Sequence, residues 1–127
     1  MQSNKLTIVI QRPVEAVFEF TTNPKNTPLW IEGMVEEISS EFPPHFGTTY
    51  KNRRDDLNWE MYKVVEFEKN KCFTLQDAAG NYHVRYSYKS LNDHETEMTY
   101  FEWALDGELN HPFSQAVLVK LKAVMEK

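Results

Sequence analysis

Hydrophobic and polar residues alternate near the start of the chain. Leu6, Ile8 and Ile10 occupy every second position, and Thr7 is among the polar or smaller residues between them. Successive side chains of a strand point to opposite faces, so a period of two is typical of a strand with one buried face. The pattern predicts a strand over Lys5–Gln11.

The spacing then changes to that of a helix. Pro13 suits the first helical position, because a backbone N–H there would have no partner within the helix. Val14, Val17 and Phe18 follow on one helical face. The sequence predicts a first helix from Pro13 to about Thr21.

Asn23 and Pro24 interrupt this helix and begin another. An asparagine side chain is a favourable N-cap, and a proline after it fits the first turn. We therefore predict a second short helix that ends near Trp30.

From Met34 onward, segments rich in β-branched and aromatic residues are separated by turn signals, among them Asp55-Asp56. The short links predict antiparallel neighbours. The predicted strands are Val35–Phe42, Thr48–Arg53, Asn58–Phe67, Lys71–Asp77, Asn81–Leu91 and Glu95–Leu105.

The end of the chain has the clearest helical pattern. His111–Lys127 is predicted as one helix, with Asn110 as N-cap and Pro112 in the first turn. At 100° per residue its apolar side chains fall within an arc of about 140°. They are Phe113, Val117, Leu118, Leu121, Val124 and Met125.

The charge pattern argues against a phosphate-binding surface. The 127 residues, enough for a single domain spanning residues 1–127, include 19 acidic against 14 basic side chains, a net charge of −5. The basic cluster Lys51, Arg53 and Arg54 runs directly into two aspartates. We expect no nucleic-acid partner.

Three classes of protein are disfavoured by other features. No apolar run is long enough for a membrane span, and no signal peptide is recognisable, so a cytoplasmic protein is expected. Cys72 is the only cysteine, which excludes an internal disulfide. The four histidines are scattered without metal-ligand spacing, so we expect neither a metal nor another cofactor.

This order of elements resembles the START-like or SRPBCC superfamily, which includes polyketide cyclase-like and birch-pollen-allergen-like proteins. The resemblance is carried by RPVEAVFEFTTNPKNTPLW, by Gly47-Thr48-Thr49-Tyr50, by KVVEFEKNKCFTL and by the final segment that starts with HPF. It implies an α+β helix-grip fold, in which a curved antiparallel sheet of six to seven strands wraps around a C-terminal helix. Two short helices follow the first strand, and a central pocket is expected.

Aromatic residues supply the candidate ligand contacts. Tyr82, Tyr86 and Tyr88 share one strand face by strict alternation. Inward tyrosines offer ring area together with hydroxyl groups. The candidate ligand-binding residues on the inner surface are Trp30, Met61, Tyr82, Tyr86, Tyr88, Met98, Tyr100, Glu102, Phe113, Val117 and Leu121. Ordinary core packing explains the same aromatic pattern.

Glu102 is the single carboxylate of that set. It shares a face with Met98 and Tyr100 if that face points to the helix. A buried carboxylate needs hydrogen-bond partners or a raised pKa, which would make it a polar anchor or an acid-base group.

We consider three functions. The leading hypothesis is the binding, transport or sensing of a small hydrophobic molecule of lipid, polyketide or aromatic type in the central cavity. A cyclase or dehydratase-like enzyme acting on a similar ligand is an alternative. The third is a protein-interaction domain of the chaperone-cofactor type, in which outward Phe101 and Trp103 belong to a patch or a homodimer contact.

Overall fold

A computed structural model describes residues 1–54 and 58–127, so the predicted turn at Asp55-Asp56 lies outside the described residues. The described chain contains seven strands and two α-helices of more than two turns, with a short helix between them. The strands are β1 (Gln2–Ile10), β2 (Met34–Ser39), β3 (Thr49–Arg54), β4 (Glu60–Glu68), β5 (Cys72–Asp77), β6 (Tyr82–Asn92) and β7 (Glu95–Ala104).

One antiparallel sheet contains all seven strands. Their order is β1-β7-β6-β5-β4-β3-β2, so β2 to β7 form a meander and β1 pairs with the last strand. The two edges, β1 and β2, are joined in sequence by the first helices. This is the predicted α+β helix-grip architecture, and the predicted strands are confirmed with boundaries that shift by a few residues.

The first two helices form as the sequence predicts. Helix α1 (Val14–Thr22) follows Pro13, and a 3-10 turn (Pro24–Asn26) leads into helix α2 (Thr27–Trp30). The Asn23 side chain caps that turn by accepting a hydrogen bond from the Lys25 N–H at 3.1 Å.

The final helix is shorter than predicted. Helix α3 spans Gln115–Met125, with Ser114 at the N-cap position, so it starts four residues after His111. His111 has a φ of +68°, which no α-helix tolerates. The Phe113 N–H donates to the buried Glu102 carboxylate at 2.8 Å. This long-range bond holds Phe113 outside the helix although its position fits the apolar stripe.

Helix α3 is fastened along β1. The Lys122 ammonium donates to the Val9 carbonyl at 2.7 Å, and the Arg12 guanidinium donates to the Met125 carbonyl at 2.9 Å. Together with α2, it covers the concave face of the sheet. The core between these layers contains the fully buried Ile10, Val17, Trp30, Met98, Leu118 and Leu121.

Leu121 tests this packing because it is buried completely and does not line the cavity described below. We expect Leu121→Ala to lower the free energy of unfolding by about 2 to 5 kcal/mol, through lost burial and the void left behind. Val119→Ala on the exposed face of the same helix should change it by less than about 0.5 kcal/mol. Urea unfolding of both variants makes the comparison, and equal effects would contradict the packing.

Candidate functional site

A small cavity lies between the concave face of the sheet and α2; we call it the inner cavity. Its volume is about 70 Å³, enough for a few water molecules. Aromatic residues on its walls include Tyr50, Tyr82, Tyr86, Tyr100 and Phe113. Aromatic residues are therefore the largest group in the lining of the inner cavity.

Glu37 brings a carboxylate to this aromatic wall. Thr27 donates its hydroxyl proton to Glu37 Oε1 at 2.6 Å, and Asn52 donates from Nδ2 to Oε2 at 3.0 Å. Glu37 and Asn52 are directly paired across β2 and β3, which places both side chains on the concave face. The residue is half-buried, and each of its two carboxylate oxygens accepts one of these hydrogen bonds.

Burial raises the pKa of Glu37 above its ordinary value. The two hydrogen bonds oppose this shift, since they stabilise the ionised form, but desolvation is the larger effect. No cation is paired with Glu37 among the described residues. Glu37 is thus a carboxyl group whose protonated form is favoured more than that of a solvated glutamate.

The hydroxyl groups of the inward tyrosines differ in their partners. Tyr50 donates to the Thr22 carbonyl at 2.6 Å, and the Tyr88 hydroxyl lies 2.6 Å from that of Thr21. By contrast, the Tyr86 hydroxyl has no hydrogen-bond partner within the described ranges. Tyr86 is therefore the tyrosine with a free hydroxyl group for a molecule in the inner cavity.

A second unpaired polar group lies beside Tyr86. The Trp30 indole N–H is buried and has no partner in the part of the chain that the structure describes. The Trp30 ring meets those of Tyr86 and Phe113 edge to face, at centroid distances of 6.4 and 6.2 Å. An unpaired buried donor costs about 1 to 3 kcal/mol, which a water or ligand acceptor would recover.

Glu102 faces inward, and 2% of it is exposed. It accepts hydrogen bonds from Asn4 Nδ2 at 2.8 Å, from the Tyr82 hydroxyl at 2.7 Å and from the Phe113 N–H at 2.8 Å. The same Asn4 amide donates to the Phe113 carbonyl at 2.9 Å. Glu102 therefore lies behind the cavity wall and fixes the backbone of Phe113.

The Phe113 ring closes one end of the inner cavity. It stacks on Tyr100 with a centroid distance of 4.1 Å and an interplanar angle of 5°. On its other side is a cleft of about 250 Å³ between α2 and the start of α3; we call it the outer cleft. Ile31, Arg54 and Phe113 line both spaces, so the two hollows adjoin at these residues.

The structure brings only some of the expected ligand-binding residues to these hollows. Tyr82, Tyr86, Tyr100 and Phe113 line the inner cavity, and Val117 lines the outer cleft. The remaining buried ones pack in the core behind the walls: Trp30, Tyr88, Met98, Glu102 and Leu121.

Met61 lies elsewhere. It is 50% exposed, while the next residue, Tyr62, lines the inner cavity. Met61 is on the convex face of β4, because adjacent strand residues point to opposite sides. The expectation that it contacts a ligand in the cavity does not fit this position.

Glu37 and Asn52 are not among the site residues predicted from the sequence. A register shift between Met34 and Glu36 turns Glu37 inward and leaves Ile38 40% exposed, against the hydrophobic pattern. One signal was present: Tyr50, Asn52 and Arg54 alternate on one face of β3, and an inward asparagine needs a polar partner.

Two features are absent from residues 1–54 and 58–127. In those ranges no group of three or more His, Cys, Asp or Glu side chains is arranged to hold a metal ion. Likewise, none of the helices there has the length and hydropathy needed to cross a membrane.

Solved structures share this architecture across the whole chain. The Aha1 dimer of Colwellia psychrerythraea is 16% identical with a TM-score of 0.72, covering 99% of this chain and 97% of that one. A norcoclaurine synthase point mutant from Thalictrum flavum, in complex with a transition-state analogue, is 9% identical with a TM-score of 0.70 and coverages of 98% and 94%.

A Polyketide_cyc-like protein of Corynebacterium glutamicum, Cgl2372, is 21% identical with a TM-score of 0.60, covering 80% of this chain and 64% of that one. No protein-family model and no curated protein sequence matches the chain. The TM-scores establish the fold, and at such low identities the comparison does not extend to function.

Glu102→Gln should be destabilising, because an amide cannot accept all three hydrogen bonds. We expect a loss of about 1 to 3 kcal/mol in the free energy of unfolding. Glu97→Gln is the matched control, since Glu97 lies on the same strand with its side chain on the convex face. Chemical denaturation compares them, and a Glu102→Gln protein as stable as the control would refute the stabilising role of these three hydrogen bonds.

Glu37 predicts a pH dependence of stability. Its pKa is raised in the folded state, so as the pH rises the unfolded state loses this proton before the folded state does. The free energy of unfolding therefore falls between about pH 4.3, the ordinary glutamate pKa, and the raised pKa of the folded state. In Glu37→Gln this fall is missing. Thermal unfolding from pH 4 to pH 8 should show wild type losing stability relative to Glu37→Gln, and a constant difference would contradict the raised pKa.

Proposed function

Because the chain has the helix-grip fold of the START-like or SRPBCC superfamily, we propose that it binds a small, mainly apolar molecule inside the grip. The single observation that carries this proposal is the inner cavity, whose aromatic walls present the unpaired hydroxyl of Tyr86 and the carboxyl of Glu37. A ligand with an apolar body and one hydrogen-bonding group is complementary to such a wall.

The ligand occupies the inner cavity together with the outer cleft. Pockets for small molecules have volumes of about 300 to 1,000 Å³, which the inner cavity of about 70 Å³ does not reach. With the outer cleft of about 250 Å³, the combined space reaches the lower end of that range. Rotation of the Phe113 ring joins the two spaces, while Glu102 and Asn4 keep its backbone in place.

The energetics favour moderate affinity. Burial of about 300 Å² of ligand surface contributes roughly 7 kcal/mol at about 25 cal/mol per Å². Association costs of at least about 4 kcal/mol remove more than half of it. Hydrogen bonds to Tyr86 and Glu37, at about 1 to 1.5 kcal/mol each, then give a dissociation constant of about 0.04 to 0.2 mM.

An acid-base enzyme is the second candidate, and Glu37 is the observation that favours it. Its raised pKa holds a proton closer to neutral pH than a solvated glutamate does, and it faces the cavity. Glu102 suits this role less, because all its hydrogen bonds go to structural donors. Any turnover should then have a pH limb that Glu37→Gln abolishes without a comparable loss of ligand binding.

The protein-interaction hypothesis has weaker support. Phe101 and Trp103 do face outward, but they are half-buried and stack on one another, with centroids 5.1 Å apart. His83 stacks on Trp103 at 4.8 Å, and the Arg85 guanidinium lies over the same ring at 5.5 Å. These contacts cover much of the apolar surface. A homodimer and a cytoplasmic location remain predictions from the sequence.

Titration with the neutral probe N-phenyl-1-naphthylamine tests the proposed site. We expect saturable binding to the folded protein, with a shift of the Trp30 indole N–H resonance, because the Trp30 ring packs against Tyr86 and Phe113, which line the inner cavity. Tyr86→Phe should weaken binding about threefold to tenfold through the lost hydrogen bond. Phe113→Ala should raise the association rate, because it removes the closing ring.

Met61→Ala is the control, since Met61 is exposed on the convex face of the sheet. It should leave both affinity and rate unchanged. Binding that leaves the Trp30 resonance unmoved, or that is equally insensitive to Tyr86→Phe and Met61→Ala, would overturn the proposal.

A further inference from the structure

A larger hollow lies at the opposite end of the grip from the outer cleft; we call it the end pocket. It has a volume of about 550 Å³ and lies between α1, the β2–β3 loop and the β4–β5 turn. Its lining shares no residue with that of the inner cavity. At this size it is within the range of small-molecule sites without any rearrangement.

Aromatic rings and prolines form the apolar part of the end pocket. Phe18 and Phe67 meet edge to face with centroids 5.7 Å apart, and Phe18 also packs on Tyr88 at 5.0 Å. Phe42, which is 45% exposed, and Pro43 line the side formed by the β2–β3 loop. The rings on α1 and β4 therefore face a wall supplied by the loop.

This loop wall is held by hydrogen bonds. Thr48 donates its hydroxyl proton to Glu41 at 2.7 Å and accepts from the His45 N–H at 2.9 Å. The Gly47 N–H donates to the Val64 carbonyl at 2.9 Å, which fastens the end of the loop to β4. The end pocket is therefore pre-formed and does not depend on a ligand to order its walls.

The charges at the end pocket are unequal. Glu15 and Glu19 lie one turn apart on α1 and both are exposed. Neither is in an ion pair within 4.0 Å among the described residues. Lys69 is the single lysine or arginine of the lining, and the protein carries a net charge of −5.

We propose that the end pocket is a second binding site, specific for a small organic cation with an apolar body. The body packs against Phe18, Phe42 and Phe67, and the ammonium group lies toward Glu15 and Glu19. Aromatic faces attract cations through their quadrupole, so the rings and the carboxylates favour the same charge. An anionic amphiphile of equal size is disfavoured, because its charge would meet the two carboxylates.

Three probes of one shape test the charge preference: 4-phenylbutylammonium, 4-phenylbutan-1-ol and 4-phenylbutyrate. Amide shifts in the NMR spectrum, followed during titration, should locate all binding at α1, the β2–β3 loop and the β4–β5 turn. We expect the ammonium compound to bind about threefold to tenfold more tightly than the alcohol, and the carboxylate more weakly than both. The preference should shrink at high salt.

Two variants separate the charge effect from general binding. Glu15→Gln combined with Glu19→Gln should abolish the preference for ammonium while alcohol binding stays unchanged, because both side chains are exposed and the fold does not need them. Glu32→Gln is the matched control near the outer cleft and should keep the preference.

Either of two results would overturn the proposal. One is the absence of saturable shifts around the end pocket with the ammonium probe. The other is a preference for ammonium that survives in the double variant. Phe113→Ala should leave these titrations unaffected, which separates this site from the one inside the grip.

Discussion

The hydrogen bonds to Glu102 join three separate parts of the fold. Its carboxylate accepts from Asn4 on β1, from Tyr82 on β6 and from the backbone of Phe113 ahead of α3. A buried carboxylate is costly unless its oxygens are paired, so these donors must keep their places for the folded state to be stable. The start of α3, the position of the Phe113 ring and the closure of the inner cavity all depend on this arrangement.

The strands and the first helices could be predicted from the sequence because local patterns determine them. Tyr82, Tyr86 and Tyr88 were assigned to the concave face by alternation, and all three lie there. The predicted start of α3 was wrong for a physical reason. Phe113 fits the helical period, but its N–H donates a hydrogen bond to Glu102, eleven residues earlier. The spacing of apolar residues along the sequence gives no information about such hydrogen bonds.

The polar groups that face the inner cavity were harder to predict from the sequence. Glu37 turns inward at a bulge in an edge strand, and a shift of one residue reverses every side-chain direction that follows. Its neighbours Thr27 and Asn52 come from separate elements, and only the folded chain brings them together. The end pocket likewise depends on how the β2–β3 loop is held, which hydrophobic patterning does not describe.

Helix α1 is joined to the concave face of the sheet by two buried hydrogen bonds. Thr21 is hydrogen-bonded to Tyr88, and the carbonyl of Thr22 accepts from Tyr50. For the proposed inner site, entry of a ligand would therefore involve a ring rotation at Phe113 and no displacement of α1, and side-chain rotations are faster than movements of whole helices. Exchange of a guest in the proposed inner site would then need no backbone movement, so its occupancy would follow the free concentration of that molecule. Such kinetics suit a buffer or a gauge of concentration better than long-term storage.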